Sequence, residues 1–367
     1  MRKFFSYIIG FIGIMLAAGV VLTCYSSMYE PVKESYIPFA GFGFPYLWVA
    51  TALYVVLVLI FGRSLKIILP LVALVVTWKS FMSVCNIGFG SAPSDNQNDI
   101  KFLTYNVRNF NMGKYAEGVT IDDFITFIDN RDADIVCLQE VPMSKVLANM
   151  GFNDYPSAFT TYKYIITDEN VGKAHPWASA QIILSKYPIE HVKIDSFSNE
   201  TNTSILVVDA DIKGTKTRIF NCHLKSIRLS DKQLTAVNNV QHADIGGETK
   251  ENIKSTYHQM AGAFVDRAVQ ARELRQAIAD SPLKTIVCGD FNDTPISFTY
   301  RQISQNLYDS FIESGRGWAN TYNGKLPPLR IDYVLYSEGI VSKSFEILNN
   351  TTISDHFPVA TTFEFAE

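Results

Sequence analysis

The sequence predicts a large α/β domain carried behind a group of membrane-spanning helices, and three observations lead there. Residues Phe4 to Gly62 hold only three charges, Glu30, Lys33 and Glu34, whereas charged and apolar residues alternate from Ile100 onward. Beyond Ile100, at least eight β-like runs are interleaved with helical stretches, the pattern of an α/β fold. Several of those runs end in acids, amides or imidazoles, where a rigid sheet presents side chains to the loops above it. With 367 residues, 47% hydrophobic and 13% aromatic, the composition supports sizeable cores and argues against a disordered or fibrous chain.

In chain order, Arg2 and Lys3 precede the charge-free run Phe4–Cys24, which as a helix spans about 31 Å. Phe39–Phe61 is equally uncharged, and Ile67–Val84 carries only Lys79 near its far end, where a long side chain can snorkel to the interface. Three transmembrane helices are therefore expected within residues 1–87, with a flexible linker, 88–99, rich in Gly, Ser, Asn and Asp. A basic start before an apolar run also describes a secretory signal, and Leu22-Thr23-Cys24 faintly resembles a lipoprotein cleavage box. The length of the run, Thr23 before Cys24 and the two later spans favour a retained helix. Arg2/Lys3 and Arg63/Lys66 belong on the cytoplasmic side, so an odd number of spans leaves residues 100–367 periplasmic or otherwise extracytoplasmic. With no ionisable residue in mid-helix, these spans read as an anchor rather than a transport path.

Residues 100–367 carry 26 basic and 32 acidic side chains, a net charge of −6. A protein that coats DNA through phosphate neutralisation shows the opposite balance. Five cysteines without a Cys-x-x-Cys pair argue against a disulfide framework or thiolate zinc, and Cys137, Cys222 and Cys288 are expected to be small buried residues.

Strands are expected at Ile100–Asn106, Ile135–Glu140, Gln181–Ser185, Ser204–Asp211, Thr217–His223, Thr285–Asp290, Ile331–Tyr336 and Val359–Phe365. Helices are expected near Ile121–Arg131, Thr256–Asp280 and Phe298–Asn306. The polar strand ends are Tyr105-Asn106, Gln139-Glu140, Asn221-Cys222-His223 and the run Gly289 to Asp293, followed by Arg330-Ile331-Asp332-Tyr333 and Ser354-Asp355-His356. Each cluster alone is ordinary: a Glu closing a strand is usually solvated, an Asp-x-Asn is usually a turn. Six in succession, all metal-compatible or proton-transferring, point to a site.

The order TYNVR, LQE, ILSKYP, NCHL, GDFND, RIDYVL and SDHFP resembles the endonuclease/exonuclease/phosphatase superfamily, across essentially all of 100–367. The resemblance implies a four-layered α/β sandwich of DNase I-like type, two mixed sheets face to face with helices outside. It implies a metal-dependent hydrolase that opens phosphate esters by in-line attack of an activated water, with Mg²⁺ or Mn²⁺ suited to the hard oxygen donors. Glu140 is then the principal metal ligand, with Asn106 helping to hold metal and phosphate and Asp355 as a second metal-proximal carboxylate. Asp290 orients or deprotonates the water, and Asn292, two residues on, donates to a phosphoryl oxygen. Asp332 pairs with His356 and keeps it protonated. His223 hydrogen-bonds the phosphate or assists the leaving group, which tilts the reading toward the DNase I-like, sphingomyelinase-like and phosphatase branches. Its orienting carboxylate is left open between Asp168 and Glu169.

Trp177 to Gln181 stand where the family often has a glycine-rich turn. Substrate choice is expected in Ser226–Asp280, and Lys225, Arg228, Arg330 or one of Arg267, Arg272 and Arg275 is a candidate phosphate contact. The alternative for the three helix arginines is a solvated face. The substrate stays open among nucleic acid, a lipid head group of sphingomyelin type and a small phosphomonoester; no obligate protein partner is implied. Two non-enzymatic readings compete. A receptor or scaffold domain predicts losses among these residues, and none is lost; a transporter predicts polar residues in the spans, and none lies there.

Overall fold

The computed structural model describes residues 2–32, 35–61, 65–88, 90, 96, 98–111, 121–142, 158–168, 179–192, 204–227, 229–241, 246–324, 328–351 and 353–365. Two helices, α1 (Arg2–Tyr25) and α2 (Ile37–Phe61), are long and apolar enough to cross a membrane. The third expected span is not continuous. A 3-10 turn at Leu65–Ile67 leads into α3 (Ile68–Val76), Thr77 interrupts the helix, and α4 (Trp78–Met82) follows. The Thr77 hydroxyl bonds back to the Ala73 carbonyl at 2.7 Å, and Phe81 then stacks on Trp48 of α2 at 3.7 Å. The nine residues of α3 fall short of the roughly 20 that a bilayer requires.

The short strand β1 (Cys85–Asn86) joins this segment to the rest of the chain. There follow β2 (Ile100–Asn106), α5 (Ile121–Asn130), β3 (Ile135–Pro142), β4 (Tyr164–Asp168), β5 (Ser179–Ser185), β6 (Ile189–His191), β7 (Ser204–Ile212) and β8 (Thr215–His223). The helices α6 (Asp231–Gln241) and α7 (Gly247–Ala279) come next, then β9 (Lys284–Asp290), α8 (Phe298–Ile303), β10 (Tyr308–Asp309), α9 (Ser310–Ser314) and β11 (Gly317–Trp318). The chain ends with β12 (Asp332–Tyr336), β13 (Ile340–Ile347) and β14 (Val359–Phe365). Two six-stranded mixed sheets form, in the orders β10-β12-β9-β8-β7-β6 and β13-β14-β2-β3-β5-β4. Among the described residues, β8/β9 and β2/β3 pair in parallel and the other pairings are antiparallel.

The sheets face each other across one core, where Phe102, Ile135 and Ile183 of one meet Leu206, Ile219 and Ile286 of the other. Phe124 and Ile128 of α5 cover the outer face of the second sheet, and Ala271 and Leu274 of α7 cover the first. The expected layering is observed, and Cys137, Cys222 and Cys288 are fully buried within it.

All eight expected strands are present within a residue or two, and α7 begins nine residues earlier than expected. The strand β13 escaped the sequence reading because its buried face carries Ser342 and Ser344, bonded to Thr361 and Thr362 of β14, rather than an apolar alternation.

Candidate active site

Strand direction and register assemble the site. Parallel β8 and β9 place His223 opposite Asp290, and antiparallel β12 places Asp332 opposite Asp290 from the other side. On the facing sheet, Asn106 closes β2 beside Gln139 of β3, and His356 lies just ahead of β14, which pairs with β2. A register shift in β3 between Leu138 and Val141 puts Glu140 at φ 51°, turning its carboxylate out of the ladder. Gly289 adopts φ 113°, and a Cβ there would strike the Cys222 carbonyl, so only glycine lets β9 approach β8 this closely before Asp290.

The expected Asp332–His356 pair is present: His356 Nδ1 lies 3.0 Å from Asp332 Oδ2, and its Nε2 lies 3.8 Å from Asp290 Oδ2. Burial would lower the His356 pKa, but Asp332 and Asp290 outweigh it and push it up to about 10. Burial is also the main cause that raises Asp290 to about 6, with Asp332 adding to it against the pull of the two histidines. Asn106 Nδ2 donates to Asp290 Oδ2 at 2.9 Å and to Glu140 Oε1 at 3.2 Å, while His223 Nε2 lies 3.2 Å from the same Glu140 oxygen. Burial works against the Glu140 charge, yet His223, then Asn106, hold its pKa at about 2; in return Glu140 raises His223 above its ordinary value despite burial.

Four expectations change. Asn292 has φ 53°, in the left-handed region, so the chain turns tightly after Asp290. Its side-chain nitrogen donates to Asp290 Oδ2 and to the Leu224 carbonyl, both at 3.0 Å, so both of its hydrogens are engaged within the chain. Asn106 likewise points its nitrogen at two carboxylates and its Oδ1 at the Arg108 backbone amide, 3.0 Å away, so both ends of its side-chain amide are engaged within the chain. Arg330 does not reach the site: it is 2% exposed, paired with Asp309, bonded to the Ser83 carbonyl at 2.8 Å and flanked by the rings of Phe311 and Tyr333. The three helix arginines are also engaged elsewhere, Arg267 with Asp293, Arg272 with Glu30 and Arg275 with Gln302.

Lys225 stands two residues beyond His223 with its backbone bonded to α7; Arg228 and Glu169 lie outside the described residues. Asp168 ends β4 opposite Gln181, and among the described residues Glu140 is a carboxylate that lies against His223. Of the departure at Trp177 to Gln181, the described part opens β5, and Gln181 Oε1 accepts from the Leu206 amide at 3.3 Å, linking the sheets.

Acidic and histidine side chains gather closely enough here that they could hold a metal ion. Glu140, His223 and Asp290 offer ligand atoms within 4.8 Å of one another, as do Asp290, Asp332 and His356. Asp355, raised by burial and Glu140, ion-pairs with Arg108 through Oδ2, and its buried Oδ1 has no hydrogen-bond partner among the described residues. Arg108, inside the TYNVR run, was not singled out from sequence; its φ of 43° marks a strained backbone beside the site. Gln139 and Asn221 were also given no role, and their 2.6 Å bond joins the two sheets beneath the cluster.

A family model described as "Endonuclease/Exonuclease/phosphatase family" matches residues 103–356. A second, described as "Domain of unknown function (DUF8431)", matches residues 3–84. No curated protein matches the chain. Among solved structures, a D. rerio TDP2 humanized by 14 mutations is 15% identical, with 73% of this chain and 99% of that one covered at a TM-score of 0.51. An endonuclease/exonuclease/phosphatase from Beutenbergia cavernae is 16% identical, with 74% and 72% covered at 0.49. A Bacteroides thetaiotaomicron endonuclease/exonuclease/phosphatase family protein is 18% identical, with 73% and 98% covered at 0.49.

Proposed function

The chain belongs to the endonuclease/exonuclease/phosphatase family, and from that premise we propose that it is a Mg²⁺- or Mn²⁺-dependent phosphoesterase tethered to a membrane. The observation that carries this reading is the continuous cluster Glu140–Asn106–Asp290–His356–Asp332, buried except for the half-buried Glu140, in which carboxylates and a cationic imidazole meet.

A bound divalent cation supplies Lewis-acid neutralisation of phosphoryl oxygens, and Glu140 and Asp355 would hold it, with Asn106 fixing the Glu140 carboxylate. The other tasks fall to the chain. Asp290, with a pKa near 6 and its carboxylate fixed by Asn106 and Asn292, takes a proton from the attacking water near neutral pH. His356 stays protonated through Asp332 and presents positive charge to the phosphoryl group. His223, whose pKa Glu140 raises against the effect of burial, donates to the phosphate or to the departing oxygen. Asp332 acts through His356 and touches no substrate atom.

The two apolar helices, with the broken third packed beside them, form the anchor in residues 1–87, and residues 100–367 form the catalytic domain; the extracytoplasmic placement expected from three crossings does not follow from two. The test uses the full chain in detergent with Mg²⁺, Mn²⁺ or chelator against a chromogenic phosphodiester, plasmid DNA, sphingomyelin and phospholipids. Turnover of at least one substrate is expected, lost in chelator and in Asp290→Ala and His356→Ala. A folded chain that binds no divalent cation, or variants that retain activity, would overturn the reading.

A further inference from the structure

The start of α2 packs on α7 and on the loop that follows Asp290. Tyr36 and Phe39 stack on Tyr257 of α7 at 4.7 and 5.1 Å, and Phe39 meets Phe264 edge-on at 5.1 Å. Gly41 lies so close to Ile296, six residues beyond Asp290, that a Cβ would strike the Ile296 carbonyl. One helical turn past Phe264 stands Arg267, fully buried, its guanidinium carbon 4.9 Å from the Phe264 ring centre.

The Arg267 guanidinium joins the two loops that carry the proposed catalytic groups. Its Nη1 donates to the Lys225 carbonyl at 2.8 Å, two residues after His223, and its Nε donates to Asp293 Oδ2 at 3.1 Å, three residues after Asp290. Asp293 is further held by the Thr299 hydroxyl at 2.8 Å, and its carbonyl by the Tyr333 hydroxyl at 2.7 Å. Asn292 closes the other side by donating to the Leu224 carbonyl. A planar donor fork seated on an aromatic ring fixes the spacing of two loops more tightly than a lysine point charge could.

We propose that Arg267 is a positioning residue through which the packing of the α2 first turn on Phe264 sets the alignment of the His223 and Asp290 loops. The membrane segment is then a working part of the site: displacement of Phe39 from Phe264 loosens Arg267 and, with it, both loops. The kinetic part of this inference rests on the phosphoesterase reading; the structural part does not.

The test uses the full chain in detergent with Phe39→Ala, Arg267→Met, Arg267→Lys, the double variant Phe39→Ala/Arg267→Met, and Arg275→Ala as a control on the same helix. Arg267→Met is expected to lower kcat at least about tenfold with KM held within about twofold, because sub-ångström misplacement costs chemistry rather than binding. Arg267→Lys should recover part of that loss. Phe39→Ala should lower kcat several-fold alone and add nothing on the Arg267→Met background, the signature of one pathway. Hydrogen exchange supplies a readout free of activity: Phe39→Ala should speed exchange in 224–227 and 291–296 while leaving β3 unchanged. Arg267→Met with unaltered kcat, or additive effects of Phe39→Ala and Arg267→Met, would overturn the proposal. So would unchanged exchange in both loops of Phe39→Ala, and this last arm decides if Arg267→Met does not fold or if no substrate turns over.

Discussion

His356 Nδ1 lies 3.0 Å from Asp332 Oδ2, and Asp332 is the cross-strand partner of Asp290, so one imidazole is held between two carboxylates of neighbouring strands. Asp332 acts most strongly on the imidazole, and Asp290 adds to it. Together they keep a buried imidazole cationic well beyond its ordinary range, at a point where a phosphate would otherwise meet repulsion from Asp290.

Removing Asp332 should therefore change a pH profile as well as a rate. In Asp332→Asn, activity is expected to fall by about two to four powers of ten. The residual activity should lose its alkaline limb at lower pH, moving from about 10 toward the ordinary 6.5 of histidine. Initial rates of phosphodiester hydrolysis from pH 5 to 11 measure both effects; an unmoved alkaline limb would mean that another group sets it.

The same pair makes stability depend on pH. The folded chain binds the His356 proton more tightly than the unfolded chain, whose value is near 6.5, so its contribution is fully present below that pH and is lost as pH rises toward 10. In chelator, thermal unfolding should shift to lower temperature between pH 7 and 10, and His356→Gln should flatten the dependence. Equal slopes in the two proteins would contradict this.

Arg330→Met is expected to reduce stability rather than raise KM. It leaves Asp309 buried without its ion-pair partner, which costs about 3–5 kcal/mol. Denaturant unfolding monitored beside steady-state kinetics separates the two; a raised KM at unchanged stability would restore a substrate role.

Where the chain is cut should matter. A fragment starting at residue 99 loses the Ser83 carbonyl that accepts from Arg330 and the Asn86 amide that donates to the Phe311 and Ile312 carbonyls, both at 2.8 Å. It also loses the β1–β11 pairing. Each buried polar group left unpaired costs about 1–3 kcal/mol, so a fragment starting at residue 80 should melt well above one starting at 99. Similar melting of the two would show that these bonds contribute little.

Strand-end motifs such as Asn221-Cys222-His223 and Gly289-Asp290 were legible because each is local: an apolar run stops and a polar residue follows within the same few positions. The pairing of Asp332 with His356 was legible through resemblance to the family, since nothing in the spacing of residues 24 apart brings them together. Arg330 was misread for the complementary reason. An arginine beside a site motif looks the same in sequence whether it faces substrate or a buried aspartate from another element.

The sequence alone determined the division into an apolar N-terminal segment and an α/β domain, the central strands and the identity of the chemical groups, because periodicity and strand-end composition are encoded within short windows. Tertiary structure decided what those windows do not contain. The left-handed turns at Glu140 and Asn292, the break at Thr77 and the seating of α2 on the helix that holds Arg267 depend on contacts between residues far apart in the chain. Such contacts are set by the packing of two sheets and a helix, and no local pattern states them.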